Sequence, residues 1–277
     1  MRTAVCLHGL VKSINVASNG AYDEKFATLL EKIKDCDVFI HSWDFDIMDE
    51  LQDIFKPLKY EFQPQYHFLP ETKNHKNKNY ANNTKVAQGD LFKTLSFLKS
   101  RKKSIDLKSE YEKENNFKYD CVLVSRFDVG HHKSGLNKTS HLNFNPNQDM
   151  QYMYQAYWDQ TNAGASDHWF YSNSDNINML STLYDNVLDY LSEDSEYTKW
   201  CNNGWPLSDA NNEFSNELFK YKAIRSENLI KYAYDDVILV NNHCLYKYHL
   251  MKNNMWDDGK SVFLNKQFWE YDQTCNI

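Results

Sequence analysis

Short apolar runs alternate with a helical repeat through the first half of the chain. The runs cover residues 4–7, 36–40 and 120–124, and each has the length of one buried β-strand. Between the first two runs, apolar side chains recur at helical spacing over residues 22–34, which predicts an amphipathic helix. Strands that alternate with helices favour an α/β fold with a mostly parallel, Rossmann-like sheet flanked by helices.

The same two patterns predict further elements along the chain. Strands are expected at residues 59–62, 151–158, 168–171 and 237–240, and helices at residues 88–102, 177–191 and 211–221. Residues 71–84 are expected to form a loop, the charged run 100–118 a solvated helix or loop, residues 130–150 an irregular segment, and residues 241–277 an aromatic-rich tail.

Composition narrows the class of protein. The chain has 277 residues, a hydrophobic fraction of 42% and a net charge of −7, which suits one large domain and argues against binding nucleic acid through its phosphates. Six scattered cysteines form no CxxC pair, the N-terminus has no signal-peptide pattern, and no apolar run is long enough to span a membrane. We therefore expect a soluble, cytoplasmic protein. The sequence contains no GxGxxG, P-loop, HExxH or GxSxG motif.

Polar residues follow the three apolar runs, at the point where each predicted strand ends. Because ligands of parallel α/β sheets bind beyond the carboxyl ends of the strands, these residues are candidates for a binding site. They are His8, Gly9, His41, Ser42, Trp43, Asp44, Arg126 and Asp128. One such residue alone would be ordinary surface polarity, but three strand ends that carry polar groups together predict a site.

Four motifs, in this order, resemble a family of transferases. They are AVCLHGL (4–10), DVFIHSWD (37–44), YDCVLVSRFDVG (119–130) and DHWFYSNSDNINML (167–180). Over residues 1–225 the chain resembles glycosyltransferase-like proteins of the GT-A type, which occur in bacterial surface-polysaccharide clusters and in large DNA viruses and phages. The resemblance implies a single GT-A-like domain over residues 1–277, in which residues 1–130 bind the nucleotide sugar and an α+β half, residues 131–277, binds the acceptor.

The implied reaction moves a sugar from a nucleotide-diphosphate sugar to a hydroxyl of a glycan acceptor, in surface glycan or glycoprotein glycan synthesis. For a viral member the implied location is the host cytoplasm. In GT-A enzymes a strand typically ends in Asp-x-Asp, whose carboxylates hold a divalent metal that bridges the diphosphate.

This chain has Arg126-Phe127-Asp128 at that place, so only the second carboxylate matches. Asp128 is the predicted ligand of Mn²⁺ or Mg²⁺, with water and phosphate oxygens completing the shell. Alternatively, the planar guanidinium of Arg126 clamps the phosphate itself. A third reading is a surface pair of Arg126 and Asp128 with no function.

Two carboxylates are candidates for the base that activates the acceptor hydroxyl. Asp167 is preferred because it follows the small residues 164–166. The alternative is that Asp167 only forms a turn or caps an element. Glu213 lies in the first turn of a predicted helix, where the helix dipole favours an acidic residue in any case.

Other histidines and the tryptophans are weaker candidates. The adjacent His131 and His132 would point to opposite faces of a strand, which argues against their binding one metal ion together. His243 is a remote candidate for a metal ligand. Of the tryptophans near the motifs, one or two are expected to face a ligand and the rest to pack in the core.

Two other functions remain open at this point. One is a metal-dependent phosphoester or sugar-phosphate hydrolase that uses Asp128 with neighbouring histidines, for which no second carboxylate or histidine cluster is evident. The other is a non-catalytic carbohydrate-binding or assembly protein on the same fold.

Overall fold

A computed structural model describes ten stretches of the chain. They are residues 1–11, 22–65, 67–68, 86–127, 129, 142–156, 165, 167–202, 242–256 and 260–264. The strands within them are β1 (Thr3–Gly9), β2 (Asp37–Ser42), β3 (Lys59–Phe62), β4 (Cys121–Arg126), β5 (Met153–Ala156), β6 (Trp169–Ser172) and β7 (Ser261–Leu264). The helices are α1 (Tyr22–Ile33), α2 (Met48–Phe55), α3 (Val86–Glu114), α4 (Ser174–Ser181), α5 (Leu183–Tyr190), α6 (Glu196–Asn202) and α7 (Asn242–Lys252), and a 3-10 turn covers Phe45–Ile47.

The strands form one seven-stranded sheet in the order β3-β2-β1-β4-β6-β5-β7. Strand β1 is parallel to β2 and β4, β2 is parallel to β3, and β5 is parallel to β7. Strand β6 is antiparallel to both of its neighbours, β4 and β5. The predicted α/β class with a mostly parallel sheet is therefore confirmed, and strands from both halves of the chain contribute to the sheet.

Helices cover both faces of the sheet. Helices α1 and α2 pack through Phe26 and Phe55 against the face that carries Val5 and Leu7. Helices α3 to α7 pack against the opposite face, to which Cys6 points. Because β1 is buried on both faces, its apolar run is continuous instead of alternating with polar residues.

The strand order reverses between β1 and β4. From β1 the chain passes through α1, β2 and α2 to β3, so that β2 and β3 lie one after the other on one side of β1. The crossing helix α3 lies on the other face and leads to β4, on the opposite side of β1. Such a reversal opens a crevice beyond the carboxyl ends of the two strands, which is the usual ligand site of an open α/β sheet.

Most predicted elements are present where the structure describes the chain. The helix expected at 177–191 is divided into α4 and α5, because the Thr182 hydroxyl donates to the Met179 carbonyl oxygen at 2.8 Å and ends the first helix. The elements expected at 71–84, 211–221 and 237–240 lie outside the described residues.

The expectation that the charged run 100–118 is solvated is wrong for three of its charged residues. Helix α3 continues to Glu114, and Arg101, Lys108 and Glu112 are buried beneath other elements. Lys108 Nζ lies 2.9 Å from a Glu112 carboxylate oxygen, 2.6 Å from Ser174 Oγ and 2.8 Å from Asn178 Oδ1. Burial of Lys108 and Glu112 is possible because they pair with each other and with Ser174 on α4. Arg101 instead has its partners at the end of β1 and just before β6.

The aromatic-rich tail contains regular structure that the sequence did not indicate. Helix α7 is buried at seven consecutive residues, 244–250, so it shows no apolar stripe. Strand β7 extends the sheet beside β5. Within the stretches described here, no helix is long and apolar enough to cross a membrane.

Candidate functional site

The ends of β1, β2 and β4 meet at the carboxyl edge of the sheet. In the strand register, His8 is the partner of His41 on one side and of Arg126 on the other. Gly9 is likewise opposite Ser42. The structure therefore brings together the polar residues that end these three strands, and the pair of His8 and Arg126 lies at the reversal of strand order.

His41 connects this edge to α3. Its Nδ1 lies 2.8 Å from Ser100 Oγ, which also accepts the Gly9 N–H at 2.9 Å. Its Nε2 lies 3.0 Å from the Gln63 side-chain nitrogen. Burial, with Lys103 and Lys99 nearby, lowers the pKa of His41 to about 3, so the ring is neutral.

Ser42 and Asp44 hold the start of the segment after β1. The Ser42 hydroxyl donates to the Gly9 carbonyl oxygen at 2.9 Å and accepts the Asp44 N–H at 3.1 Å. The Asp44 carboxylate accepts the Val11 N–H at 2.5 Å. Trp43 is buried and donates from its indole N–H to the Ser96 carbonyl oxygen at 3.3 Å. These hydrogen bonds fix the backbone that follows β1 and β2 at the edge of the site.

A buried arginine from α3 reaches the same place. Arg101 Nε donates to His8 Nε2 at 3.0 Å, and Arg101 Nη2 donates to the Asp167 carbonyl oxygen at 2.5 Å. The centre of the guanidinium lies over three aromatic rings, those of Phe97 at 4.8 Å, Phe170 at 5.1 Å and Tyr246 at 4.7 Å. The rings stabilise a cation that has left water.

Three buried polar atoms in this cluster have no hydrogen-bond partner outside it within the described part of the chain, and the side chains of Arg101 and Tyr246 interact with each other. The three atoms are His8 Nδ1, Arg101 Nη1 and the Tyr246 hydroxyl. Burying a donor without a partner costs roughly 1–3 kcal/mol. An imidazole, a guanidinium and a phenol buried together mark this cluster as a polar centre inside an otherwise apolar layer.

Arg126 and Asp167 form an ion pair across β4 and β6. Arg126 Nη1 lies 3.5 Å from Asp167 Oδ1, with the arginine side chain 24% exposed and the aspartate side chain 9% exposed. The Arg126 N–H also donates to the His168 carbonyl oxygen at 3.2 Å. Antiparallel pairing of β4 with β6 therefore positions Asp167 beside the end of β4.

The Asp167 carboxylate is held in its ionised form. Burial alone would raise its pKa, but electrostatic interaction with the surrounding basic side chains holds the pKa well below its usual range. In decreasing order of effect, these groups are His243, Arg126, His168 and Arg101. His243 is fixed nearby because its Nδ1 lies 2.8 Å from the Ala165 carbonyl oxygen and its own carbonyl oxygen accepts the Ala165 N–H at 3.0 Å.

Several predicted site residues fall outside the described stretches. These are Asp128, Glu213, His131 and His132. Among the residues that are described, no group of three histidine, cysteine or acidic side chains is arranged to hold a metal ion. Trp43, which was predicted to line the donor side, and Trp169 are both buried.

Sequence reasoning missed Arg101, although a signal for it existed. Arg101 lies three residues after Leu98 and four before Ile105, both of which are buried. A charged residue on the apolar face of a helix is buried, and its burial is costly unless other residues pair with it. Tyr246 had no such signal, since α7 is buried on every side.

Comparison with protein-family models, with curated proteins and with solved structures finds no match for this chain.

Proposed function

We propose that the protein is a GT-A-type glycosyltransferase that moves a sugar from a nucleotide-diphosphate sugar to a hydroxyl of a glycan acceptor, in surface glycan or glycoprotein glycan synthesis. The observation that carries the proposal is the Arg126–Asp167 pair at the reversal of strand order, where open α/β sheets bind ligands. A cation and a carboxylate side by side match the two needs of the reaction: a charge that binds a diphosphate and a group that accepts a proton.

Arg126 is the proposed contact of the donor diphosphate. Its guanidinium is planar and always charged, and it offers paired donors that fit phosphate oxygens. Its side chain is partly exposed, whereas Arg101 behind it is buried. In the proposal His8, Gly9 and residues 41–44 form the remainder of the donor side of the site.

Asp167 or Glu213 is the proposed base for the acceptor hydroxyl. Without donor, the neighbouring basic side chains keep the pKa of Asp167 low, and a carboxylate in that state is a weak base. A diphosphate that binds Arg126 would share its positive charge and raise the pKa of Asp167 toward a useful value. Donor binding would thereby prepare the base.

A divalent metal at Asp128 remains part of the proposal. The described part of the edge offers the guanidinium of Arg126, the Asp167 carboxylate that pairs with it, and the Asp44 carboxylate that accepts the Val11 N–H, and these do not make a metal site. When bound, Mn²⁺ or Mg²⁺ would neutralise charge on the leaving diphosphate. The proposed phosphate contact is Arg126.

The proposed location is the cytoplasm. Cys6, Cys36, Cys121 and Cys201 form no disulfide within the part of the chain that the structure describes. Unpaired cysteines are usual in a reducing compartment.

The test is thermal unfolding against a panel of nucleotide-diphosphate sugars, with and without Mn²⁺, on the wild type, Arg126→Gln and Asp128→Ala. A ligand at about 100 times its dissociation constant adds roughly 2.7 kcal/mol, which raises the midpoint by a few degrees. We expect one donor class to stabilise the wild type and to lose its effect in Arg126→Gln. If stabilisation by the donor depends on Mn²⁺ and is lost in Asp128→Ala, the metal ion is assigned to Asp128. No stabilisation by any donor would contradict the proposal and favour a protein that binds carbohydrate without catalysis.

A further inference from the structure

The contact between Arg101 and His8 determines which nitrogen of His8 carries the proton. Arginine stays protonated in proteins, so Arg101 Nε is a hydrogen-bond donor under all ordinary conditions. His8 Nε2, at 3.0 Å, must therefore accept. A histidine that accepts at Nε2 is neutral and carries its single proton on Nδ1.

The environment of His8 agrees with that assignment. His8 is buried, and burial together with Arg101 and Arg126 holds its pKa well below the usual range. No hydrogen-bond acceptor among the described residues meets its Nδ1. The ring is thus a donor with its hydrogen unused, in register with Arg126 at the end of β4.

The other branch of Arg101 fixes the main chain at Asp167. Arg101 Nη2 donates to the Asp167 carbonyl oxygen at 2.5 Å, and the Asp167 side chain faces Arg126. One guanidinium therefore ties the end of β1 to the segment before β6. Its rigid fork makes both contacts at once, which a lysine ammonium on a flexible stem cannot reproduce.

We propose that Arg101 is a positioning residue: it holds His8 as the neutral Nδ1–H tautomer, a fixed hydrogen-bond donor for an oxygen of the ligand diphosphate, and it holds Asp167 so that its carboxylate meets Arg126. The ligand in this inference rests on the proposed function; the tautomer does not. A phosphate oxygen that reaches His8 Nδ1 and Arg126 would meet a neutral donor and a cation, and both suit it because phosphate oxygens only accept hydrogen bonds.

The direct test is a long-range ¹H–¹⁵N correlation spectrum of the protein labelled at histidine, with the His8→Gln spectrum to assign the signals. We expect a single neutral tautomer of His8 protonated at Nδ1 in the wild type. We expect Arg101→Lys to give a mixture of tautomers, while Lys102→Met leaves the His8 signals unchanged. Lys102 is the matched control because it is the next residue of the same helix, and its ammonium pairs with Asp106 and Asp185.

A wild-type His8 protonated at Nε2, or an unchanged tautomer in Arg101→Lys, would overturn the inference. The wild-type spectrum alone decides the tautomer if Arg101→Lys does not fold.

A second measurement tests the ligand. Inorganic pyrophosphate is titrated against the wild type, Arg101→Lys and Lys102→Met, and binding is read from the shift in unfolding midpoint. We expect Arg101→Lys to weaken the binding of pyrophosphate by about tenfold or more, the usual loss when a hydrogen bond to a charged group is misaligned. The affinity of Lys102→Met for pyrophosphate should stay within about twofold of the wild-type value. Equal affinity in Arg101→Lys and the wild type, or no binding to the wild type, would refute the ligand assignment.

The two proposals fail separately. If pyrophosphate and the tautomer respond as expected but no nucleotide-diphosphate sugar binds, the glycosyltransferase proposal fails and the role of Arg101 stands. If a donor sugar binds the wild type and Arg101→Lys equally well, the role of Arg101 fails and the proposed function stands.

Discussion

Arg126 Nη1 lies 3.5 Å from Asp167 Oδ1, at the place where the strand order of the sheet reverses. The two residues are far apart in sequence, and the antiparallel pairing of β4 with β6 makes them neighbours. Neither side chain is fully exposed, so the pair is stronger than a surface contact and still open to a ligand. This pair gives the carboxyl edge its central cation and carboxylate.

Separate substitutions of the pair should separate binding from transfer. Arg126→Gln should abolish stabilisation by the donor, because the diphosphate loses its cation. Asp167→Asn should keep donor binding within about threefold and reduce transfer by 10²-fold or more, the contribution of a general base. Donor titration followed by single-turnover assays measures both. Unchanged transfer in Asp167→Asn would shift the role of base to Glu213.

Folding stability should fall as the pH is lowered below about 6.5, the usual pKa of a histidine. In the folded protein burial lowers the pKa of His41 to about 3. Between these values the unfolded chain binds one proton more than the folded chain, so stability falls with falling pH, by up to ~1.4 kcal/mol per pH unit. His8 acts in the same direction. The low pKa of Asp167 contributes only at a more acidic pH.

Urea unfolding of the wild type and His41→Gln between pH 7.5 and 4.5 checks this prediction. The variant should be less stable at pH 7.5, since the contact of His41 with Ser100 is altered, but its stability should depend less steeply on pH. Substitution of the exposed His67 by Gln is the control and should keep the wild-type slope. Equal slopes for His41→Gln and the wild type would refute a neutral, buried His41.

Removal of the buried Lys108 ammonium on α3 should be strongly destabilising. Lys108→Met leaves the buried Glu112 carboxylate without its ammonium partner, which should cost about 3–5 kcal/mol. Lys102→Met, on the partly exposed face of the same helix, should cost less than about 1 kcal/mol. Chemical denaturation measures both values. A small loss in Lys108→Met would show that the network around Glu112 is not closed in solution.

The strand ends could be predicted because each rests on a short-range pattern. The apolar runs before His8, His41 and Arg126 are continuous since their strands are buried on both faces. The parallel arrangement then follows from the alternation with helices, and with it the meeting of the three ends.

The buried charged residues behind the strand ends, and the direction of β6, could not be predicted in the same way. Arg101, Lys108 and Glu112 were expected to be solvated, because each has a partner that lies far along the chain. The ion pair of Arg126 depends on β6 being antiparallel, and no local pattern gives a strand direction. Helix α7, which brings Tyr246 to Arg101, has no apolar stripe since it is buried on every side.

The most direct test of the central claim is a transfer assay with the donor that the unfolding panel identifies. The donor is incubated with the protein and a set of glycan acceptors, and products are followed by mass spectrometry together with release of the nucleoside diphosphate. A glycosyltransferase should release the nucleoside diphosphate in an acceptor-dependent manner, and one acceptor should gain the mass of the donor sugar; Arg126→Gln should do neither. Release at the same rate with water alone, with no acceptor product, would contradict the account and indicate a hydrolase.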